Sequence, residues 1–446
     1  MDSFFIFAIS LCCLLSFSGF FMREKDSNSN FLTIIPAFLN RNSIWHDLLK
    51  WTILSLFVGL AAGTLSALFL TLLNLATDFR EAHSYLLYFL PAAGLLVGLL
   101  YHHRGQNVER GNNLVFDTIH NPKDVIPFKM TPLVLSGTII THLFGGSAGR
   151  EGTALQMAAS TADQLYKPFQ LSSADRSILL IAGLSAGFAS VFGTPWAGAV
   201  FGIEVLLLGE IPKKAIFPAL LAAFTGAHVT ELWGVGHTHY QINVIPSVSL
   251  MGVVYSILSG IAFSVAAVLF VRLTHLFSIA FKKLNYPPLR PFIGGLIVLL
   301  LVLLLGTHQY IGLGIPVIIN AFNQASQTED FALKILLTAI TLGAGFKGGE
   351  VTPLFFIGAT LGSTLSVFLP LPVGLLAGMG FVAVFAGAAK TPLACCIMAF
   401  ELFGISCWVY VSIACVVAFL VSGHHSIYNA PENKSPRHFL FGKLGI

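Results

Sequence analysis

Apolar positions in this chain come in long unbroken runs, without the every-second or every-third-and-fourth spacing of a half-buried strand or helix. Trp51–Leu75, Leu86–Tyr101, Met251–Val271 and Phe292–Gly306 are such runs, and about 20 predominantly apolar residues make a helix that crosses a bilayer. The pattern predicts many membrane helices. It is cut repeatedly by glycine and proline, 42 and 20 of them, so several helices are expected to be broken or to span only part of the bilayer. Broken backbone is tolerated at membrane depth where it faces protein or a water-filled cavity. An all-α polytopic membrane protein of the transporter or channel kind follows, more than a receptor.

Composition strengthens this reading. Of 446 residues, 55% are hydrophobic and 10% charged, with a mean hydropathy of +0.82, too little charge to cover a water-soluble surface of that size. The net charge of +4 is modest, and no basic block or aromatic-basic interleaving suggests a nucleic-acid partner. The six cysteines lie in apolar segments without zinc-type spacing and read as core residues. Lys and Arg mark the cytoplasmic side: Arg104, Arg110, Lys123 and Lys129, then Lys213 and Lys214, then Lys282, Lys283 and Arg290, then Lys434, Arg437 and Lys443. By contrast "GVGHTHYQINVIPS" has neither, and "NAFNQASQTEDFA" has only acids, so both are expected to face outward. A multi-pass protein of the cell membrane follows, with both ends of the core cytoplasmic. The opening "MDSFFIFAISLCCLLSFSGFFMREKD" lacks a basic leading segment and a small-residue cleavage site. It is either an extra helix or an extension ahead of a start at Met22.

The chain also repeats. "GREGTA" at Gly149–Ala154 matches "GGEVTP" at Gly348–Pro353, which aligns Glu151 with Glu350 and Thr153 with Thr352 at a spacing of 199. "TPWAGAVFGIE" from Thr194 matches "TPLACCIMAFE" from Thr391 at a spacing of 197. Duplication in a glycine-broken membrane protein is the mark of a transporter built from structural repeats with its site near the midplane. The expected division is an N-terminal segment 1–44, a first repeat 45–240, a second repeat 241–430 and a short cytoplasmic tail 431–446 without a regulatory domain. Matching letters do not say whether the halves are inverted.

Seven charges stand in the apolar regions: Arg150, Glu151, Glu204, Lys347, Glu350, Lys390 and Glu401. A charge near the bilayer centre costs at least about 2.5–3.5 kcal/mol on insertion scales, so it faces a pathway or a partner. For Arg150, Glu204, Lys390 and Glu401 the expectation is internal salt bridging or a dimer contact. Glu151 differs. Gly145, Gly146, Gly149 and Gly152 let the backbone turn sharply and bare its N–H groups, and "TALQMAAS" reads as a helix starting just after. Helix N-termini and backbone nests attract anions, so a carboxylate there acts as a tethered anion that holds the site until it is protonated or displaced. The second copy, "GAGFKGGEVTPLFF", makes a similar loop, and two facing N-termini could converge on one anion.

These segments resemble the CLC family of anion channels and anion/proton antiporters. "GREGT" is similar to the family's G-[RK]-E-G-P segment, with Glu151 at the gating glutamate; "TPLACCIMAFE" resembles a late helix; "GHHSIYNA" resembles the last intramembrane helix, whose tyrosine, here Tyr428, contacts the central anion. The resemblance covers about residues 45 to 430. It implies a homodimer with one pathway per subunit and inverted repeats of tilted, broken helices. The departures from the usual pattern matter more. Gly111-Asn-Asn-Leu-Val115 stands where chloride-handling members have G-S-G-I-P, Thr153 replaces a proline, "GGEVTP" brings Glu350 and Thr352, and Val205 stands where many chloride/proton antiporters carry an internal proton-relay glutamate. Together these are similar to the fluoride/proton antiporter branch.

The residues expected at the anion pathway are therefore Asn112, Asn113, Phe116, Gly149, Arg150, Gly152, Glu350, Val351, Thr352 and Tyr428, with Glu151 as the proton-coupled gate. Fluoride holds water tightly, so its site must offer strong donors: the Asn112 amide, the Thr352 and Tyr428 hydroxyls and backbone N–H groups. Glu350 is expected to receive the Glu151 side chain or bond near it, with Thr352 orienting both; the competing reading pairs Glu350 with Lys347. More ordinary readings remain beside these, helix capping for Asn112 and Asn113, packing for Phe116, and an interfacial belt for Tyr428. The fourteen histidines show no ligand spacing, and no nucleophile–base set, metal motif or nucleotide loop is present. The expected function is export of fluoride, with chloride handled weakly, in exchange for protons, without catalysis, cofactor or metal; the alternative is a chloride channel or chloride/proton antiporter.

Overall fold

The computed structural model describes residues 44–120, 124–206 and 213–428. The segments expected at 1–43 and 431–446 lie outside them. The first half contains α1 (Ile44–Ala82), α2 (Leu90–Arg104), α3 (Asn112–His120), α4 (Met130–Leu143), α5 (Glu151–Asp163), α6 (Ser173–Phe192), α7 (Pro195–Glu204) and α8 (Ile216–Leu232). The second contains α9 (Leu250–Lys282), α10 (Leu289–Leu305), α11 (Ile315–Ala321), α12 (Asp330–Gly343), α13 (Val351–Leu365), α14 (Val373–Ala389), α15 (Pro392–Phe403) and α16 (Trp408–Val421). Each long apolar run of the sequence is a helix. Five stretches are long and apolar enough to cross a membrane, while α4, α10 and α13 to α15 are shorter apolar helices of 10–17 residues.

The repeat is present in the backbone, but in a register one residue away from the letters. Gly149 and Gly349 form an antiparallel bridge, each amide donating to the other's carbonyl at 2.7 Å. The helices α4 and α12 start at 130 and 330, and α5 and α13 at 151 and 351, so the structural spacing is 200 where the matched letters indicate 199. Glu151 is thus the counterpart of Val351, and Glu350 that of Arg150. Aligning the two glutamates cost one residue because identical letters outweigh an unseen backbone. The later spacing of 197 has a simple origin: α6 has 20 residues and α14 has 17. Both end in a left-handed residue, Gly193 at φ 69° and Lys390 at φ 64°.

Since α5 and α13 both begin at the antiparallel bridge and run away from it, the halves have opposite orientation. Close packing is made possible by small residues. The face of α13 at Gly358 and Gly362 lies on the backbone of Gly380 and Leu376 in α14, where any Cβ would collide. Buried charge is paired within the first half, where Asp163 accepts from Arg176 Nε at 2.7 Å and Nη2 at 2.8 Å and from the Ile126 amide at 2.7 Å. Such a fully bonded pair at zero or near-zero exposure ties α5 to α6.

Candidate anion pathway

The two bridged loops bring α5 and α13 together end on end. Gly145 at φ 86° and Gly345 at φ 103° take left-handed backbone that other residues resist, and this turns the chain back after α4 and α12. The first amides of both helices then point toward a common space, where their partial positive charge adds. Neither N-cap, Arg150 nor Glu350, bonds these amides with its own side chain.

The Glu151 carboxylate fills that space. It is fully buried. Its Oε2 accepts from the Thr352 amide at 3.1 Å and the Arg150 amide at 3.1 Å, its Oε1 accepts from the Thr352 hydroxyl, and Arg150 Nε lies 3.8 Å from Oε1. Each half of the repeat therefore contributes an amide. A Cβ on Gly149 would stand 2.8 Å from Oε2 and 2.9 Å from Pro353 Cδ, so this glycine is required by the close approach of the carboxylate.

On one side lies a cavity of about 1840 Å³ lined by Gly111, Asn112, Asn113, Gly348, Glu350 and Tyr428, with Arg110, Arg272, Lys282, Arg290 and Lys347 around it. On the other is a crevice of only about 20 Å³, lined by Arg150, Glu151, Thr238, Tyr240, Thr352 and Phe355. The carboxylate and Thr352 are thus the partition between a broad basic vestibule and a narrow aromatic one. Asn112 opens α3 on the vestibule side, its Nδ2 3.1 Å from where a Cβ on Gly152 would be. Its buried Oδ1 has no hydrogen-bond partner. Phe116, one helical turn further, meets Tyr428 edge to face with ring centroids 4.8 Å apart. Tyr428 is within electrostatic reach of both Glu350 and Glu151. Val351 is buried at the head of α13.

The loops thus bring together Gly149, Arg150, Glu151, Gly152, Val351 and Thr352, with Asn112, Phe116 and Tyr428 beside them. Glu350 stands apart. Among the described residues its carboxylate makes no hydrogen bond or ion pair; it faces the vestibule, while Glu151 is bonded on the crevice side. The expected bond near Glu151 is absent because Glu350 precedes the helix by one residue and Glu151 sits inside its first turn. The competing pair with Lys347 is absent too, since that ammonium lies 4.0 Å from the Tyr101 ring centroid.

Arg150 does pair with a carboxylate, but Glu204 and Glu401 pair with no cation. Glu204 in α7 accepts from the Leu393 and Ala394 amides at 2.9 and 2.7 Å. Glu401 in α15 accepts from the Trp196 and Ala197 amides at 3.0 and 2.8 Å. Each helix ends in the acid that caps the start of the other. Lys390 donates to Ser422 Oγ at 2.6 Å. Sequence reasoning also missed Phe355 and Phe381, stacked with centroids 3.9 Å apart beside the crevice. It missed Lys334 as well, which is buried and donates to the Tyr310 and Gly312 carbonyls at 3.0 and 2.8 Å. A lone lysine in an otherwise apolar run, "FALKILLTAITLG", was the available signal. Among the described residues no three His, Cys, Asp or Glu side chains are grouped to hold a metal ion.

Comparison with known proteins agrees with this geometry. Residues 93–423 match the family described as voltage gated chloride channel. A protein of Pseudomonas syringae pv. tomato named "Chloride/fluoride channel protein" is 50% identical over 396 residues, 87% of this chain and 88% of that one. The solved structure titled "Crystal structure of a CLC-type fluoride/proton antiporter" superposes with a TM-score of 0.84 at 34% identity, covering 89% of this chain and 100% of that one. A slow cyanobacterial Cl⁻/H⁺ antiporter, at 20% identity, shares the fold with a TM-score of 0.74 over 83% of this chain and 94% of its own. With its bridged loops, opposed helix ends and buried gate carboxylate, this chain belongs to the voltage gated chloride channel (CLC) family, whose members are anion channels and anion/proton exchangers.

Proposed function

We propose that this protein is a fluoride/proton antiporter that exports cytoplasmic fluoride in exchange for protons. One observation carries the reading: the Glu151 carboxylate occupies the donor-lined meeting point of α5 and α13 and separates the two cavities. A carboxylate oxygen and a fluoride ion ask the same of a site, strong short donors and no water. When Glu151 takes a proton it loses its charge, its hold on these amides weakens, and an anion takes its place. The vestibule presents the further donors, with Asn112 and Tyr428 at its inner end.

Fluoride is preferred over the chloride reading by the Asn112 amide, which offers two donors where chloride-handling relatives have a serine with one. The names of the Pseudomonas protein and of the solved antiporter point the same way. With Val205 apolar at the usual relay position, the proton travels on the Glu151 carboxyl, and Glu350 in the vestibule receives it. The basic rim sets the vestibule on the cytoplasmic side, and the crevice, under Thr238 and Tyr240 of the segment without Lys or Arg, faces outward. The working unit is a homodimer in the cell membrane.

Efflux of fluoride and of chloride from proteoliposomes, with proton movement recorded beside it, tests this. Fluoride efflux should far exceed chloride efflux and move protons in the opposite direction. Both Glu151→Gln and Glu151→Ala should abolish the proton movement. Equal rates for the two anions would return the chloride reading, and proton-coupled transport by either variant would remove Glu151 as the gate.

A further inference from the structure

The helix before the first loop ends in a histidine whose surroundings packing does not explain. His142 is fully buried, and its Nδ1 has no hydrogen-bond partner. An apolar side chain would fill the space without stranding a polar atom. The other ring nitrogen, Nε2, lies 3.3 Å from the Gly149 carbonyl oxygen. That oxygen also accepts from the Gly349 amide at 2.7 Å. The opposite edge of the same peptide unit is the Arg150 amide, which donates to Glu151 Oε2 at 3.1 Å.

We propose that His142 is a positioning residue for Glu151, acting through the single Gly149–Arg150 peptide. This rests on the gating reading above. The hydrogen must be on Nε2, because a hydrogen on Nδ1 alone would set the Nε2 lone pair against those of the carbonyl. With it there, His142 and Gly349 both pull on one carbonyl, which fixes the plane of the peptide and strengthens its N–H as a donor on the far edge. The imidazole thereby holds the Glu151 carboxylate in the partition without touching it. The contact is long for an N–H···O bond, so its contribution is modest. The charged groups facing His142 are Arg80, Arg150 and Lys334. Those facing Glu151 are Arg150 at 3.8 Å, together with the Tyr240 and Tyr428 rings, and Glu350 faces Tyr428. None of these changes in the variants below.

The test is the pH profile of fluoride-driven proton exchange in proteoliposomes for His142→Met and His142→Gln. The two match in length and differ in that Gln keeps a donor where Nε2 stands. Without the donor the carboxylate form of the gate is held less well, so exchange should reach half its maximum at a pH higher by about half a unit, the size of one modest hydrogen bond. Gln should restore the wild-type midpoint. Equal midpoints in the two variants, or a lower maximal rate with no movement of the midpoint, would overturn the proposal and leave His142 as filling. If Met does not yield folded protein, His142→Phe, which keeps a ring and has no donor, stands in the same comparison. Glu151→Gln, run beside them, separates the two readings: a profile that survives it overturns the gating role and this inference with it, while a flattened profile leaves His142 to be judged on its own variants.

Discussion

Replacing Glu204 with methionine should loosen the start of α15 in a way that two neighbouring thiols can report. The carboxylate is 6% exposed and accepts two amides, from Leu393 at 2.9 Å and Ala394 at 2.7 Å. A bond to a charged group contributes roughly 1.5–3 kcal/mol net. The low end applies here, since the variant also removes the cost of burying the carboxylate. Glu204→Met loses both bonds, about 3 kcal/mol, and Glu204→Gln, which keeps one acceptor oxygen, about half of that. Every 1.4 kcal/mol is tenfold, so opening of α15 should be about a hundredfold more frequent in Met and about tenfold in Gln. Cys395 and Cys396 lie in this first turn and are buried. Their rate of reaction with a thiol-specific dye in detergent, with opening fast relative to labelling, reads the population directly. Wild-type labelling in Glu204→Met, or equal labelling of Met and Gln, would refute the argument that the acid caps the helix.

Three further outcomes are expected. Gly149→Ala places a methyl 2.8 Å from Glu151 Oε2, so it should displace the carboxylate and raise uncoupled anion leak relative to proton-coupled flux; unchanged coupling would mean that the loop yields. Asn112→Ser should lower the fluoride-to-chloride rate ratio severalfold, and an unchanged ratio removes Asn112 from the selectivity argument. Since Lys347 lies on Tyr101 and makes no pair with Glu350, Glu350→Gln should cut fluoride transport at least tenfold with folded protein retained, and Lys347→Met should cut it less. Equal loss of folded protein in both would return Glu350 to a structural role.

Much of the fold could be read from the chain because bilayers impose a simple rule: apolar runs become helices, and each run picked out by eye lies in one. The glycine loop around Glu151 was readable for a similar reason, as only a few residue types accept sharp backbone turns and a charge in oil needs a partner. What letters could not show was which partner. Glu204 and Glu401 were expected beside cations because a sequence displays charges and hides amides; helix ends are charged groups that no letter marks. The one-residue shift between halves was hidden likewise, since two glutamates align readily whether or not their backbones do. The role of Thr352 as double donor to Glu151, by amide and hydroxyl, depends on two loops meeting, a contact between residues 201 apart. No local pattern records it.

The exchange of caps between α7 and α15 also bears on how the protein is made. The acid that satisfies the Trp196 amide is Glu401, 205 residues downstream. At ordinary rates of synthesis the ribosome needs about 10–40 s to cover that distance. Through that interval the first half, already made, lacks the group that closes one of its helices, and its own Glu204 has nothing to close. A chain interrupted near its middle would carry both defects permanently, two bare amides and a stranded carboxylate in an apolar setting. Those are the features that distinguish an unfinished membrane protein from a finished one, and here they are erased only when the second half arrives.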